Sequence, residues 1–405
     1  MKLHWQILIA LVIGAVIGIA FPSATPWIKW IGDIFLRGLN MVVIPLVISS
    51  IVVGVLNVGG NNLGRLGLRS VLFFAGSTLV AILTGLVFVS VIKPGVGVNL
   101  VSDLPANTAA KSGSFLDMLV NIIPSNIFSD LATGNDRLLA IIFFSVLFAV
   151  FLSKQEARHR DNLAGLFESV FVVIMKITGL VIAFSPLGVF SIIAVQVAKF
   201  AGDSHQLVVV ASSLGAYLLS IIAALLFHNF VTLSLVLFFI VRVNPFRHIA
   251  NMASPLLMSF STSSSSATLP LTLRELEEKS GVSNRITSFV IPLGTAVNRN
   301  GTALFECGAA LFIAQAYGIE LNFVQQFMLV ATTLLASVGA AGIPMAAFVM
   351  MSIILDSAGI PKEGLGLLLV VDRILDMFRT ATNVYGNTCA TLFVAKSENE
   401  KLLNN

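Results

Sequence analysis

The sequence predicts an all-α polytopic membrane protein, and three observations predict it. The 405-residue chain is 57% hydrophobic and only 11% charged, with a mean hydropathy of +0.95, where a soluble protein carries about a quarter charged residues. Six apolar runs that span or nearly span a bilayer occupy its first 241 residues. From residue 245 onward the apolar segments shorten and are interrupted by Ser, Gly, Pro, Asn and charge. The net charge of +4 is no nucleic-acid signature, because the basic residues gather in short loops between apolar runs. Membrane lipid, and no nucleic acid, is the expected surrounding.

The six runs lie at about 5–22, 34–58, 70–92, 138–153, 165–198 and 206–241. A second run follows the first almost at once, so no cleavable leader is expected and the first helix is expected to be retained. Beyond them, two stretches read as broken or re-entrant elements: 259–270, SFSTSSSSATLP, and 337–344, SVGAAGIP, inside the uncharged run 323–355. Non-helical backbone at membrane depth survives only where protein buries it or it lines a wet cavity. Two such interruptions in corresponding positions point to a transporter site between inverted repeats. The competing readings are a flexible linker for the serine run and a small-residue packing face for SVGAAGIP. The apolar flanks of the serine run argue against the linker.

Orientation follows from the bases. Lys2, Arg65, Arg69, Lys154, Arg158, Arg160, Arg242, Arg247, Arg274, Lys279, Arg285, Lys396 and Lys401 can all face the cytoplasm with both termini inside. The polar stretch 94–136 then faces outward, with only Lys111 and Arg137 near it. Six ordinary spans, two hairpins entering from opposite sides and two further helices satisfy this pattern. Cys307 and Cys389 stand in apolar segments and read as packing residues.

The polar stretch DRILDMFRTATNVYGN at 372–387 is the strongest chemical signal. Asp372, Asp376, Arg379, Asn383 and Asn387 sit at offsets 0, 4, 7, 11 and 15, within an arc of roughly 80° on a helix. Ionisable groups at membrane depth cost ~2.5–3.5 kcal/mol each and face a cavity or a partner. A buried Asp–Arg pair that locks helix packing is one reading. Two carboxylates, a guanidinium and two amides on one face read better as a ligand-binding surface.

A second constellation is Asn298-Arg299-Asn300-Gly301-Thr302, where Gly301 among polar neighbours predicts locally unwound helix with exposed carbonyls. Four residues further stands Glu306, between Phe305 and Cys307. Desolvation disfavours the charged form of such a carboxyl, which suits it to bind and release a proton. A structural Glu hydrogen-bonded across helices is the equal alternative. Arg299, Glu306, Asp372, Arg373, Asp376 and Arg379 make three bases and three acids, leaving no surplus carboxylate for a metal cation. Arg373 is expected off the stripe, since one residue rotates it by ~100°.

These residues resemble the glutamate-transporter family of dicarboxylate/amino-acid:cation symporters. The motifs SSSSATLP (263–270), NRNGT (298–302), AAGIP (340–344) and DRILDMFRTATNVYGN (372–387) occur in the family's order, and the resemblance covers nearly the whole chain. It implies a homotrimer with eight transmembrane helices, two re-entrant hairpins, inverted repeats and elevator-type transport. By position, 1–65 would hold scaffold helices 1–2, 66–95 transport-domain helix 3, and 96–204 the extracellular loop with scaffold helices 4–5. The transport domain would continue over 205–405: helix 6, hairpin 1 at about 246–280, helix 7 at about 284–318, hairpin 2 at about 323–360 and helix 8 at about 362–396. Carried over residue by residue, Arg379 would pair with a substrate side-chain carboxylate and Asp376 with its amino group. Asn383 and Ser265 would hold the α-carboxylate, Thr302 and Thr380 would line the pocket, and Asp372 would support Arg379. Gly342 and Ile343 would sit in the tip of the second hairpin, as outer gate. A bacterial inner (plasma) membrane location, multi-pass with both termini cytoplasmic, is implied too.

The residue chemistry agrees on the substrate class. The planar fork of Arg379 matches a carboxylate, and Asp376 accepts from an ammonium, so an acidic amino acid, L-aspartate or L-glutamate, fits best. Departures from the family pattern bear on the ion. Asn300 replaces the Asp of the sodium-coupled NMDGT motif, Arg299 replaces its Met, and Asn387 is an amide where a second sodium-binding carboxylate stands. Phe74 occupies a tyrosine position of one sodium site, beside the hydroxyls of Ser77 and Thr78, and Asn298 keeps its place. Lost anionic ligands and an added guanidinium weaken hard-cation binding. Glu306 matches the position of a co-transported proton in animal relatives. The expectation is therefore a proton co-substrate, with sodium not expected, no resident metal or cofactor, Arg299 standing in for the cation and Glu306 carrying the proton. Alternatively Arg299 serves as a gate residue, replacing an Arg that relatives carry at the positions of Ser263 or Met377.

A sodium-coupled symporter is the nearest alternative function, and an ion channel lined by the stripe belongs to a different class. A hydrolase needs a base near the serine run, and His4, His159, His205, His228 and His248 lie at ends, in loops or away from the motifs. No enzyme is expected, and no phosphate-cradling motif supports a primary pump.

Overall fold

The computed structural model describes residues 3–58, 63–98, 100, 120, 123–133, 138–198, 204–339 and 346–403, and regular structure among them is helical throughout. In chain order the helices are α1 (Leu3–Ala20), α2 (Lys29–Val58), α3 (Leu68–Ile92), α4 (Ile127–Thr133), α5 (Leu138–Ser153), α6 (Ala157–Ala183), α7 (Ser185–Ala198) and α8 (Ser204–Phe227). After two wider turns, His228–Leu233 and Val236–Val241, follow α9 (Pro245–Asn251), α10 (Ala253–Thr262), α11 (Ser265–Ser280), α12 (Asn284–Val297), α13 (Asn300–Ala316), α14 (Phe323–Gly339), α15 (Ala346–Ala358) and α16 (Leu365–Ser397). Among the described residues, Arg65–Ile92, Ala157–Val181 and His205–Val241 are helices long and apolar enough to cross a membrane.

The apolar run 165–198 is not one span. It is divided between α6 and α7 at Phe184, because Pro186 lacks an N–H and its ring opens a new helix rather than continuing the old one. The two halves then go to different partners: α6 packs on α2, and α7 lies along α1. The serine run is also more helical than its composition implies. Only Ser263, left-handed at φ 50°, and Ser264, extended, interrupt it. Ser264 caps α11 by accepting from Ala267 N at 3.2 Å, a contact worth ~1 kcal/mol. Pro270 is accommodated inside that helix. The result is a helical hairpin, α10 against α11, with its turn laid on α16.

Two groups of helices pack mainly within themselves: α1, α2, α5, α6 and α7, and a second set of α3, α8, α10 to α13 and α16. At the centre of the second set α13 is buried on almost every side. It lies between α3 and α16, and Tyr217 of α8 stacks on its Phe312 with ring centroids 4.6 Å apart. At one end the chain terminus ties three elements together: Glu398, just past α16, meets Arg65, Arg69 and Arg285. Glu400 accepts from the N–H and hydroxyl of Ser283 at the start of α12.

Candidate functional site

The α16 stripe converges on Arg379, whose side chain is 4% exposed. A single terminal amino group, Nη2, donates to Asp372 Oδ1 at 2.8 Å and to Asp376 Oδ1 at 2.9 Å. The Phe305 ring of α13 covers the guanidinium, 4.0 Å from its central carbon, a cation–π contact worth ~2 kcal/mol when desolvated. Arg379 Nε and Nη1 have no partner among the described residues. The guanidinium is thus fixed by two acids and an aromatic face while most of its donors stay unused. Asp376 is 37% exposed against 16% for Asp372, so the pair opens on the Asp376 side. Such a site can take a carboxylate on the arginine and an ammonium on Asp376 at the same time.

A second group lies where α12 ends and α13 begins. Asn298 is extended (φ −79°, ψ 114°) and Arg299 leaves the helical region (φ −129°, ψ 38°). The helix therefore breaks at these two residues, and Gly301, expected to be the unwinding point, is already inside α13. Its lack of a side chain serves close packing: a Cβ there would lie 2.6 Å from Arg379 O. Gly301 N donates to Asn383 Oδ1 at 2.8 Å, and Asn383 Nδ2 reaches Thr302 Oγ1 at 3.2 Å. The amide positions bind one another and their neighbours. Asn298 Nδ2 donates to Asn387 Oδ1 at 2.9 Å, and Asn300 Oδ1 accepts from Thr78 Oγ1 at 2.7 Å. Asn300 Nδ2 donates to Ser77 Oγ at 3.2 Å. Phe74 packs against the same cluster, since a Cβ at Gly294 would meet its ring and Asn387 Oδ1 within 3 Å. Asn298 Oδ1 is buried without a partner among the described residues.

Glu306 is fully buried nearly two turns into α13, and neither carboxyl oxygen has a hydrogen-bond partner among the described residues. A cross-helix hydrogen bond, the alternative reading of this residue, is absent there. Arg299 makes no ion pair among the described residues, and its Nε is buried without a partner. The arginine that touches the α10–α11 turn is Arg373, not Arg299: its Nη1 donates to Ser263 Oγ at 3.0 Å and lies 3.9 Å from Asp376 Oδ2. Ser265 stands in the first turn of α11 and Thr380 next to Arg379 on α16, and neither hydrogen-bonds to the other site residues among those described. Gly342 and Ile343 lie outside the described residues.

Sequence reasoning missed three participants. Phe305 counted only as the apolar flank of Glu306, yet at Gly301 + 4 it shares that glycine's face toward α16, a spacing that could have marked it. Asn229 donates to Thr382 Oγ1 at 2.9 Å, and the fully buried Tyr217 hydroxyl has no partner among the described residues. No local pattern marks either of these two.

The sequence matches the sodium:dicarboxylate symporter family over residues 3–397. The proton/glutamate-aspartate symporter of Escherichia coli (strain K12) is 37% identical, over 98% of this chain and 93% of its own length. The proton/sodium-glutamate symport protein of Bacillus caldotenax is 38% identical, over 98% and 95%. Excitatory amino acid transporter 3 of Mus musculus is 32% identical, over 98% and 86%. These relatives are transporters and not enzymes, and with a match along nearly its whole length the chain belongs to the sodium:dicarboxylate symporter family.

Proposed function

We propose that this protein is a secondary active symporter of acidic amino acids, L-aspartate and L-glutamate, driven by protons and not by sodium. The observation that carries the substrate class is Arg379, held through Nη2 alone between Asp372 and Asp376, with Nε and Nη1 unpartnered. An acidic amino acid brings one carboxylate for those donors and an ammonium for Asp376, so binding replaces unmet donors by charge-assisted bonds. Asn383 and Ser265 are assigned the α-carboxylate, and Thr302, which accepts from Asn383 Nδ2, lines the pocket with Thr380. The names of the bacterial relatives, a proton/glutamate-aspartate symporter and a proton/sodium-glutamate symport protein, support the substrate class and leave both ions open.

For the ion, two observations support protons. Glu306 is a carboxyl without hydrogen-bond partners among the described residues, inside the core, where an uncharged group is far less costly to bury than an ion. The positions of sodium-binding carboxylates carry Asn300 and Asn387, neutral amides whose oxygens already accept from Thr78 and Asn298 respectively. A second reading, sodium coupling, is favoured by the unpartnered buried Asn298 Oδ1, an oxygen that a cation could use. The elevator movement of α3, α8 to α16 against a trimeric scaffold in a bacterial inner membrane, with both termini cytoplasmic, completes the proposal. The segregated packing of the helices supports it, as does α6, whose apolar stretch is only 6% buried within one chain.

Uptake of labelled L-aspartate and L-glutamate into proteoliposomes tests the proposal under two separate gradients. Accumulation with an inward proton gradient in sodium-free buffer is expected, and Glu306→Gln is expected to abolish it while sparing exchange. Accumulation only with an inward sodium gradient overturns the ion and leaves the substrate class standing.

A further inference from the structure

The end of the long span formed by α8 and its two wider turns carries a feature that transport does not use. A cleft of about 690 Å³ opens there, walled by Phe230, Leu235, Phe238 and Phe246 and reaching Arg242. The sequence Val236–Val241 winds as a π-helical turn, which adds a residue per turn and spreads its side chains. The span then stops at Arg242 in a left-handed conformation (φ 62°), and the next helix is capped by Asn244, which accepts from Phe246 N and Arg247 N. This corner leaves Phe238 at 59% and Phe246 at 74% exposed. It also leaves the side chains of Arg242 and Arg247 exposed beside them.

The charge at this corner differs from that of the neighbouring surface. Arg65, Arg69 and Arg285 share Glu398, while Arg274 and Lys279 share Glu275. Arg242 and Arg247 have no carboxylate partner among the described residues. An aromatic cleft at the end of an apolar span, with unneutralised Arg242 in its lining and unneutralised Arg247 next in sequence to its Phe246, calls for a ligand with an apolar tail and an anionic head. A soluble anion would leave the aromatic wall wet, and a zwitterionic lipid would bring no net charge to the arginines.

We propose that this cleft is a binding site for one anionic glycerophospholipid, its acyl chain along Phe230, Leu235, Phe238 and Phe246 and its phosphate head on Arg242 and Arg247. The site belongs to the helical set that holds Arg379, so a lipid bound there travels with or restrains that set. The proposal stands on the membrane location of α8 and is independent of the coupling ion.

The test is photo-crosslinking in proteoliposomes with trace phosphatidylglycerol bearing a photoactivatable acyl chain, mapped by peptide mass spectrometry. Phosphatidylcholine with the same chain serves as reference. Phosphatidylglycerol is expected to label 230–246 in preference to other apolar segments, and the Arg242→Gln/Arg247→Gln variant to lower that yield about thirtyfold, from ~1 kcal/mol of attraction for each of the two basic residues. Arg242→Lys/Arg247→Lys is expected to restore most of it, which separates lost charge from lost folding. Equal labelling by the two lipids, unchanged labelling of the Gln variant, or label spread evenly over the apolar helices overturns the proposal.

Discussion

Asn298 Nδ2 donates to Asn387 Oδ1 across 2.9 Å, joining the break between α12 and α13 to the middle of α16 with two neutral amides. Asn387 is 2% exposed, so a carboxylate in its place would be a buried ion with one amide donor and no counter-charge in the cluster. Asn387→Asp is expected to destabilise the protein by about 3 kcal/mol or more, read as a lower thermal midpoint in detergent. Sodium is expected to recover part of that loss in the variant and to leave the wild type unmoved. A wild-type midpoint that rises in sodium but not in choline would show that the amides and Asn298 Oδ1 already hold the cation.

The arginine on the same helix makes a sharper demand. Arg379→Lys keeps the charge but loses the planar fork and the stacking on Phe305. Asp372 and Asp376 would then compete for one ammonium, and no second set of donors would remain for a substrate carboxylate. Uptake of aspartate is expected to fall by about 100-fold or more, with the protein still inserted in the membrane. Uptake with an unchanged KM would remove Arg379 from the carboxylate site.

Much of this site is legible because it lies on one helix. The offsets that gather Asp372, Asp376, Arg379, Asn383 and Asn387 on one face depend only on helical periodicity, and all five stand on α16. What the sequence hides depends on how helices cross. Phe305 looks like any apolar residue until α13 is laid beside α16, and Tyr217 and Asn229 reach the site from α8 and its wider turn. Gly301 misled for a related reason. Glycine favours unwound backbone, but it equally allows a backbone to approach another, and only the packing on Arg379 decides between the two. In the first half, hydrophobicity alone cannot show that Pro186 divides one apolar run into two helices with different partners.

Arg373 supplies a positive charge at the α10–α11 turn from a position that one-letter comparison did not single out. It reaches Ser263 Oγ at 3.0 Å and Asp376 Oδ2 at 3.9 Å, so it shares a carboxylate with the proposed ammonium site. An ammonium on Asp376 weakens the hold of Arg373 there and leaves Ser263 as its remaining anchor. Arg373→Gln and Ser263→Ala, alone and combined, are expected to couple by about 1 kcal/mol, roughly fivefold in apparent aspartate affinity, given the partial exposure of the pair. The measurement is exchange of labelled aspartate across the four proteins. Strict additivity would mean that the contact has no part in substrate binding.

The terminal clamp gives a pH dependence of defined sign. The Glu398 carboxyl is held below its ordinary value of 4.5, chiefly by the hydrogen bond from Arg65, against a smaller desolvation effect and with help from the charges of Arg65, Arg69 and Arg285. A group whose folded pKa is depressed contributes stability that is fully present above its unfolded value and is lost as pH falls through the folded one. The clamp is therefore intact at neutral pH and releases below about 4.5. Wild-type protein is expected to lose more of its thermal midpoint than Glu398→Gln between pH 6 and about pH 3, the variant starting lower at pH 6. High salt is expected to narrow the difference, because Arg65 and Arg285 are exposed and their attraction is screened. Parallel acid profiles for the two proteins would mean that the carboxylate does not bind α3, α12 and α16 together, and that Leu403 and Glu400 alone hold the terminus against Ser280 and Ser283.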